Sequence, residues 1–421
     1  MQETILSNGL KVVYYPMKNA FSVAVGLYIK AGSRYENLDN NGITHFLEHL
    51  HFRQLAGMKQ NEIYYNMEKI GSSLRGTTHK NILSFCMKVR PLFFRESLTF
   101  FKKILITDSW DEEDLKLEKK IILREIDEKS DYVDSNGIVA RAVWGENSLA
   151  FPIVGSSENV ERFTLEEVIN YKKNVFTNKN VYMIVTGAIS EREISLVSDM
   201  FDDIVLGTNH QLPAEISFRE RTPDVVIAHY DWNCVDVTVS FDIILSHVSH
   251  EKVMLLNSII GGGTGSLLQL QVREKHGLSY NVFSEVEMHG DVATINISFT
   301  TGKREFYSCI EIIMQVLKSA KKDIDNKCME VNKPFFSENL WFWLENPEML
   351  NRELMWQGCL KDDKGFAIEA KIRDYEKLSI DDMKWAAQEI FKPEKTAIVI
   401  IGNAKGITKK RIREIVRINL Q

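Results

Sequence analysis

One stretch of this chain returns 215 residues later with the same punctuation, and that repetition constrains the fold more than any other feature. Thr164-Leu165-Glu166-Glu167-Val168 opens a helix that runs through Phe176 into the apolar strand Val181-Tyr182-Met183-Ile184-Val185, closed by Gly187. Ser379-Ile380-Asp381-Asp382-Met383 does the same through Phe391 into Thr396-Ala397-Ile398-Val399-Ile400, closed by Gly402. Each copy has a hydroxyl cap, an acidic first turn, a helix, a turn and a buried strand. Few identities survive between the copies, so the match is one of pattern. A period this long signals duplicated domains rather than a solenoid.

The rest of the chain fits two such halves. Alternating strands are expected near 10–15 and 22–30, with another near 82–89. The second half supplies strands near 224–230, 235–244, 281–287 and 292–299. Helices and strands interleave without a strict βαβ rhythm, which predicts an α+β fold of two homologous halves, each a mostly antiparallel sheet covered by helices. Periodicity breaks between 206 and 223, where Gly207, Asn209, Pro213 and several charges cluster. The expected division is therefore 1–206, a linker over 207–223, and 224–421. A chain of 421 residues has room for two to four cores of ordinary size.

Composition removes several classes of function. A net charge of −6 argues against a general nucleic-acid binder, which is usually basic. No apolar run has the length of a membrane span; Ala397 to Ile401 is strand-sized. The first ten residues lack the basic start and long apolar stretch of a signal peptide, and read as a strand broken by Asn8-Gly9. Cys86, Cys234, Cys309, Cys328 and Cys359 are odd in number and form no CxxC pair, so they are expected to be reduced thiols in a cytoplasmic protein.

The chemistry concentrates in Gly42-Ile43-Thr44-His45-Phe46-Leu47-Glu48-His49-Leu50. No Pro or Gly follows Gly42 there, and Thr44 is expected to cap a helix. Helical spacing puts His45 and His49 one turn apart on one face with Glu48 beside them. Two imidazoles so spaced can bind one zinc ion, and the glutamate can take a proton from a water at the metal. This is the reversed form of the His-Glu-x-x-His helix, and it points to a zinc peptidase. A second helical stretch over 112–128 places apolar Leu115, Ile122 and Ile126 on a recurrent face. Glu118 and Glu125 lie two turns apart on it, so one can coordinate metal while the other orients a ligand. Spacing alone does not choose among Glu118, Glu125 and Glu128.

The chain resembles the pitrilysin-like (M16) family of inverzincin peptidases, especially its short bacterial members and the mitochondrial processing peptidase. The resemblance rests on Gly32-Ser33-Arg34-Tyr35-Glu36, the segment from Asn41 to His49, and Leu117-Glu118-Lys119-Lys120-Ile121-Ile122-Leu123-Arg124-Glu125-Ile126. It also rests on Phe151-Pro152-Ile153-Val154-Gly155 and Arg273-Glu274-Lys275-His276-Gly277-Leu278-Ser279-Tyr280. It covers about residues 5–405. The resemblance implies one Zn2+ per chain held by His45, His49 and Glu125, with Glu48 as general base and Glu118 supporting catalysis from behind a ligand. It implies two halves facing each other around a peptide chamber, with zinc in the first. Arg273 and Tyr280 match a pair that, in many short members, reaches into the active site, often that of a partner subunit, and holds a substrate carbonyl or oxyanion. Since this chain carries both sets, a homodimer is the simpler expectation, with a heterodimer as the alternative.

The family's substrate-pairing strand corresponds here to the stretch containing Leu74, Arg75, Gly76 and Thr77. Arg75 stands where Asn is usual and Gly76 where Ala is usual. Edge-strand addition uses main-chain groups, so an extended peptide can still bind, while Arg75 can shift selection towards acidic side chains. Three other features are decoys. His51 lies about 200° around the helix from His49, so it should face away. His79 is expected to be solvated in a polar turn. Gly261-Gly262-Gly263-Thr264-Gly265-Ser266 lacks the lysine of a phosphate loop. Phe335, Phe336, Trp341, Phe342 and Trp343 are expected in the core or at a subunit contact. The reading is a zinc endopeptidase for short or unfolded peptides, with leader processing as a candidate role; the alternative is a weakly active or non-catalytic peptide-binding subunit of a heterodimeric peptidase.

Overall fold

A computed structural model describes residues 1–130, 134–218, 220–360 and 368–421. Its strands are β1 (Gln2–Ile5), β2 (Lys11–Pro16), β3 (Val23–Ile29), β4 (Gln54–Leu55), β5 (Met58–Lys59), β6 (Arg75–Thr78), β7 (Leu83–Val89) and β8 (Val181–Gly187). They continue with β9 (Asp224–His229), β10 (Val235–Ile244), β11 (Val282–Met288), β12 (Val292–Thr301) and β13 (Thr396–Gly402). One sheet has the order β1-β2-β8-β3-β7-β6 and the other β11-β12-β10-β13-β9, with β4 and β5 forming a separate short hairpin. Among the described residues, only β2·β8 and β9·β13 run parallel within the two large sheets. The α+β architecture with mostly antiparallel sheets is therefore as expected.

The duplication is legible in the topology. Leaving out β1, each large sheet reads first-last-second-fourth-third in chain order, with the parallel pair between its first and last strands. It extends to single residues. Thr164 and Ser379 both accept from the backbone three residues on while Glu167 and Asp382 reach back, closing a capping box at each helix. Phe176 and Phe391 end those helices with φ/ψ of −85°/71° and −84°/69°. Gly187 and Gly402 have φ of 114° and 115°. A Cβ there would fall 2.2 Å from Ser22 O and 2.4 Å from Cys234 O respectively, so both sites require glycine.

The chain forms two compact units: Met1–Asp134 with Asn147–Ile216 and Trp341–Ala367, and Ser135–Glu146 with Ser217–Leu340 and Ile368–Gln421. The division at 1–206 and 224–421 thus needs two amendments, each with a packing reason. Helix Ser135–Trp144, from the first half of the sequence, packs on β13, β10 and β9 and belongs to the second unit. Helix Pro347–Leu360, from the second half, packs on β3 and β8 and belongs to the first. In the first unit that helix is anchored by Asn351, which is 2% exposed. Tyr28 Oη donates to Asn351 Oδ1 at 2.5 Å, and Asn351 Nδ2 lies 2.9 Å from Ile184 O and 3.1 Å from Ala24 O. Gly26 makes the room: a Cβ there would meet the Tyr28 ring and Asn351 Oδ1 at 2.4–2.5 Å.

The opposite face of the first sheet carries the apolar core. Helix Ile43–Arg53 buries Phe46, Leu47 and Leu50 there, in one cluster with Leu27, Phe85 and Met183. Cys86, Cys234, Cys309 and Cys328 are free thiols, and the side chain of Cys359 lies outside those described. No helix among the described residues is long and apolar enough to cross a membrane.

Candidate metal centre

The helix Ile43–Arg53 begins differently from expectation. Its N-cap is Gly42, at φ 100°, and Thr44 lies inside the first turn. The cap is supplied by the buried carboxylate of Glu36: Oε2 accepts from Gly42 N at 2.8 Å and Asn41 Nδ2 at 2.9 Å, and Oε1 from Thr44 N at 2.9 Å. An anion over the orphan N–H groups favours the helix start. Burial pushes the Glu36 carboxyl above its usual range, and these hydrogen bonds oppose the shift. The Thr44 hydroxyl instead meets Tyr171 Oη at 2.6 Å. Gly42 also lets the backbone touch Gly155; a Cβ on either would fall within 2.7 Å of the other's Cα. Asn41 Nδ2 further donates to Pro152 O at 2.9 Å. The Gly32–Glu36 and Phe151–Gly155 stretches thereby fix where the histidine helix starts, a role that sequence reading missed because Glu36 stands outside the helix pattern.

On this helix the His45 and His49 rings stand 4.5 Å apart, centroid to centroid. The Nε2 atoms of both lie 3.8 Å from Glu125 Oε2. The three donor atoms fall within 4.8 Å of one another, and no other group of three His, Cys, Asp or Glu among the described residues converges this way. Glu125 and Glu118 come from helix Glu112–Ser130, two turns apart on one face. Glu118 is 3% exposed; its Oε2 lies 2.8 Å from His49 Nδ1, and its Oε1 accepts from Arg53 Nε. Burial would raise the Glu118 carboxyl, but the hydrogen bonds and charges of His49 and Arg53 outweigh it and hold it below its usual range. Burial draws His49 down, and Glu118, Glu48 and Glu125 more than reverse this. Two imidazole nitrogens and one carboxylate oxygen, with an acidic partner behind one imidazole, suit a zinc ion that keeps a fourth position open.

Glu48 sits beside this cluster. Thr78 Oγ1 donates to its Oε2 at 2.6 Å. Burial pushes the Glu48 carboxyl up, helped by the Glu125 charge and opposed by Thr78 and His49. Gly76 bounds it on the other side: a Cβ there would lie 2.6 Å from the Phe52 ring and 2.8 Å from Glu48 Oε1. The glycine at this position is therefore a fit to Glu48 and Phe52. Strand β6 is the outermost strand of its sheet, so one edge has no strand neighbour among the described residues. Leu74 precedes β6 with its side chain in the core, Arg75 is exposed and paired with Glu348, and the Thr77 hydroxyl donates to Gly76 O.

The remaining candidates divide. His51 is fully buried against Phe85, Trp110 and Phe176, away from the donor cluster as expected. His79 is half-buried, edge-on to Trp356 at 5.3 Å, rather than fully solvated; its partner is 277 positions distant in sequence. Phe335, Trp341 and Phe342 are 54%, 42% and 56% exposed, so a core role fails for them. In the second unit, the Arg273 guanidinium stacks 4.6 Å over the Tyr280 ring, and Tyr280 is 82% exposed. The helix His250–Ile260, at the topological place of the histidine helix, carries no His pair.

Comparison with known proteins bears on both units. Residues 11–156 match the family described as insulinase (peptidase family M16), and residues 162–332 match the peptidase M16 inactive domain. The uncharacterized zinc protease YmxG of Bacillus subtilis is 27% identical over 354 residues, 80% of this chain and 83% of that protein. A probable mitochondrial-processing peptidase subunit beta of Arabidopsis thaliana is 30% identical over 194 residues, 45% of this chain and 36% of that one. Among solved structures, a peptidase M16 inactive domain from Pseudomonas fluorescens superimposes with a TM-score of 0.85 at 17% identity, covering 96% of this chain and 98% of that one. A protease from Helicobacter pylori gives 0.81 at 18%, covering 95% and 99%.

Proposed function

The chain belongs to peptidase family M16, and we propose that it is a zinc-dependent endopeptidase acting on short or unfolded peptides. The observation that carries this reading is the convergence of His45, His49 and Glu125 donor atoms beside a buried Glu48. In this reading His45, His49 and Glu125 hold one zinc ion. When bound, zinc supplies Lewis acidity that makes water nucleophilic near neutral pH. Glu118 fixes the His49 ring through Nδ1, and Arg53 keeps Glu118 charged. Glu48, its proton affinity raised by burial, takes the proton of the attacking water and passes it to the leaving amine. Thr78 aims the Glu48 carboxylate, and Gly76 leaves it space.

The substrate enters as an extended strand on the free edge of β6, held by main-chain hydrogen bonds. Arg273 and Tyr280 present two donors together at an exposed place, and we assign them to the oxyanion of a peptide bound by a second copy. A homodimer, a cytoplasmic location and a part in maturing leader-bearing peptides complete the proposal. The test is digestion of a mixed unstructured peptide pool by the zinc-loaded chain, read by mass spectrometry, with Glu48→Gln alongside. Internal cuts that vanish in the variant are expected. A wild type that binds peptides without cutting them would instead make the chain a non-catalytic subunit.

A further inference from the structure

Directly paired residues of neighbouring strands share a sheet face. Gly76 and Thr78 of β6 therefore lie on the Glu48 face, and Arg75 and Thr77 on the other, in register with Cys86 and Ser84 of β7. On that other face lies helix Pro347–Leu360, whose first turn carries Glu348. Glu348 Oε1 accepts from Arg75 Nη2, while its Oε2 pairs with Lys88 Nζ at 2.6 Å. Arg352 follows one turn later and is near enough for its charge to act on the Cys86 thiol. Arg75 and Lys88 thus share the one Glu348 carboxylate beside the strand edge.

We propose that the Arg75 face of β6 is a specificity subsite that selects an aspartate or glutamate at one fixed position of the bound peptide. The inference rests on the reading of β6 as the substrate-pairing strand. A peptide on that edge sends alternate side chains to the two faces, so every second one passes on the Arg75 side. The Arg75 side chain is 65% exposed, and an ion pair this open contributes a factor of a few at most. A substrate carboxylate exchanges with Glu348 at low cost, because Glu348 keeps Lys88 when Arg75 turns away. Glu348 then acts as a stand-in that covers the subsite between substrates. Asn351, buried one turn along, holds it in place.

The test takes the favoured position from the peptide pool and compares a Glu peptide with its Gln counterpart. The zinc-loaded wild type should cleave the Glu peptide about fivefold better in kcat/KM, a margin that shrinks as salt is raised. Arg75→Asn should bring the ratio near one, and Glu348→Gln, which removes the internal competitor, should increase it. An unchanged ratio in Arg75→Asn, with cuts still lost in Glu48→Gln, overturns the subsite and leaves the peptidase reading intact. No cuts by wild type overturn both.

Discussion

At the scale of single residues, the centre depends on groups that make room as much as on those that bind. Gly76 is the clearest case, because a methyl here would press on Phe52 and Glu48. Gly76→Ala is expected to displace the Glu48 carboxylate from Thr78. Peptide cleavage should then fall by about 10- to 100-fold, with zinc content by metal analysis unchanged. Full activity in that variant would show that Glu48 needs no such fit. His45, Glu48 and His49 were legible in the sequence because a helix repeats every 3.6 residues and three chemical groups on one face leave a short pattern. Glu118 and Glu125 were legible as a pair, but spacing left their division of labour open and only the family resemblance implied it. Side-chain geometry separates the one that lies 3.8 Å from both imidazole Nε2 atoms from the one that meets His49 Nδ1. Glu36 was invisible for a related reason: it caps a helix from six residues before Gly42 through a carboxylate, and no local pattern marks that.

At the scale of elements, the helix Pro347–Leu360 is fixed by a buried polar contact and tuned by an exposed one. Asn351→Ala would leave Tyr28 Oη without its 2.5 Å acceptor and strip donors from strand carbonyls beneath the helix. Unsatisfied buried groups of this kind cost about 1–3 kcal/mol each, so urea unfolding should show a loss of about 3 kcal/mol. Glu348→Gln, by contrast, should change stability by less than about 1 kcal/mol, as exposed ion pairs do. Equal losses in the two variants would contradict this ordering. The capping boxes at Thr164 and Ser379 and the glycines at 187 and 402 were readable from sequence, since each is a local demand of the backbone. The seating of this helix was not, because Asn351 and its partners Ala24 and Ile184 are separated by 327 and 167 positions.

At the scale of the molecule, duplication fixed the topology of both sheets, but the sequence halves do not coincide with the folded units. Each unit takes one helix from the other half of the chain. A fragment of residues 1–216 lacks the helix that packs on β3 and β8, and one of 217–421 lacks the helix on β9, β10 and β13. Neither fragment alone should unfold cooperatively, whereas co-expression should restore a single sharp thermal transition; a stably folded 1–216 would refute this. The same exchange sets an order of events during synthesis. The ribosome has made more than four-fifths of the chain before the helix that carries Asn351 and Glu348 emerges, and until then the first sheet has one face uncovered. Completion of the unit that holds His45, His49 and Glu125 is thus tied to translation of the other, so a truncated product lacks the helix that packs on β3 and β8.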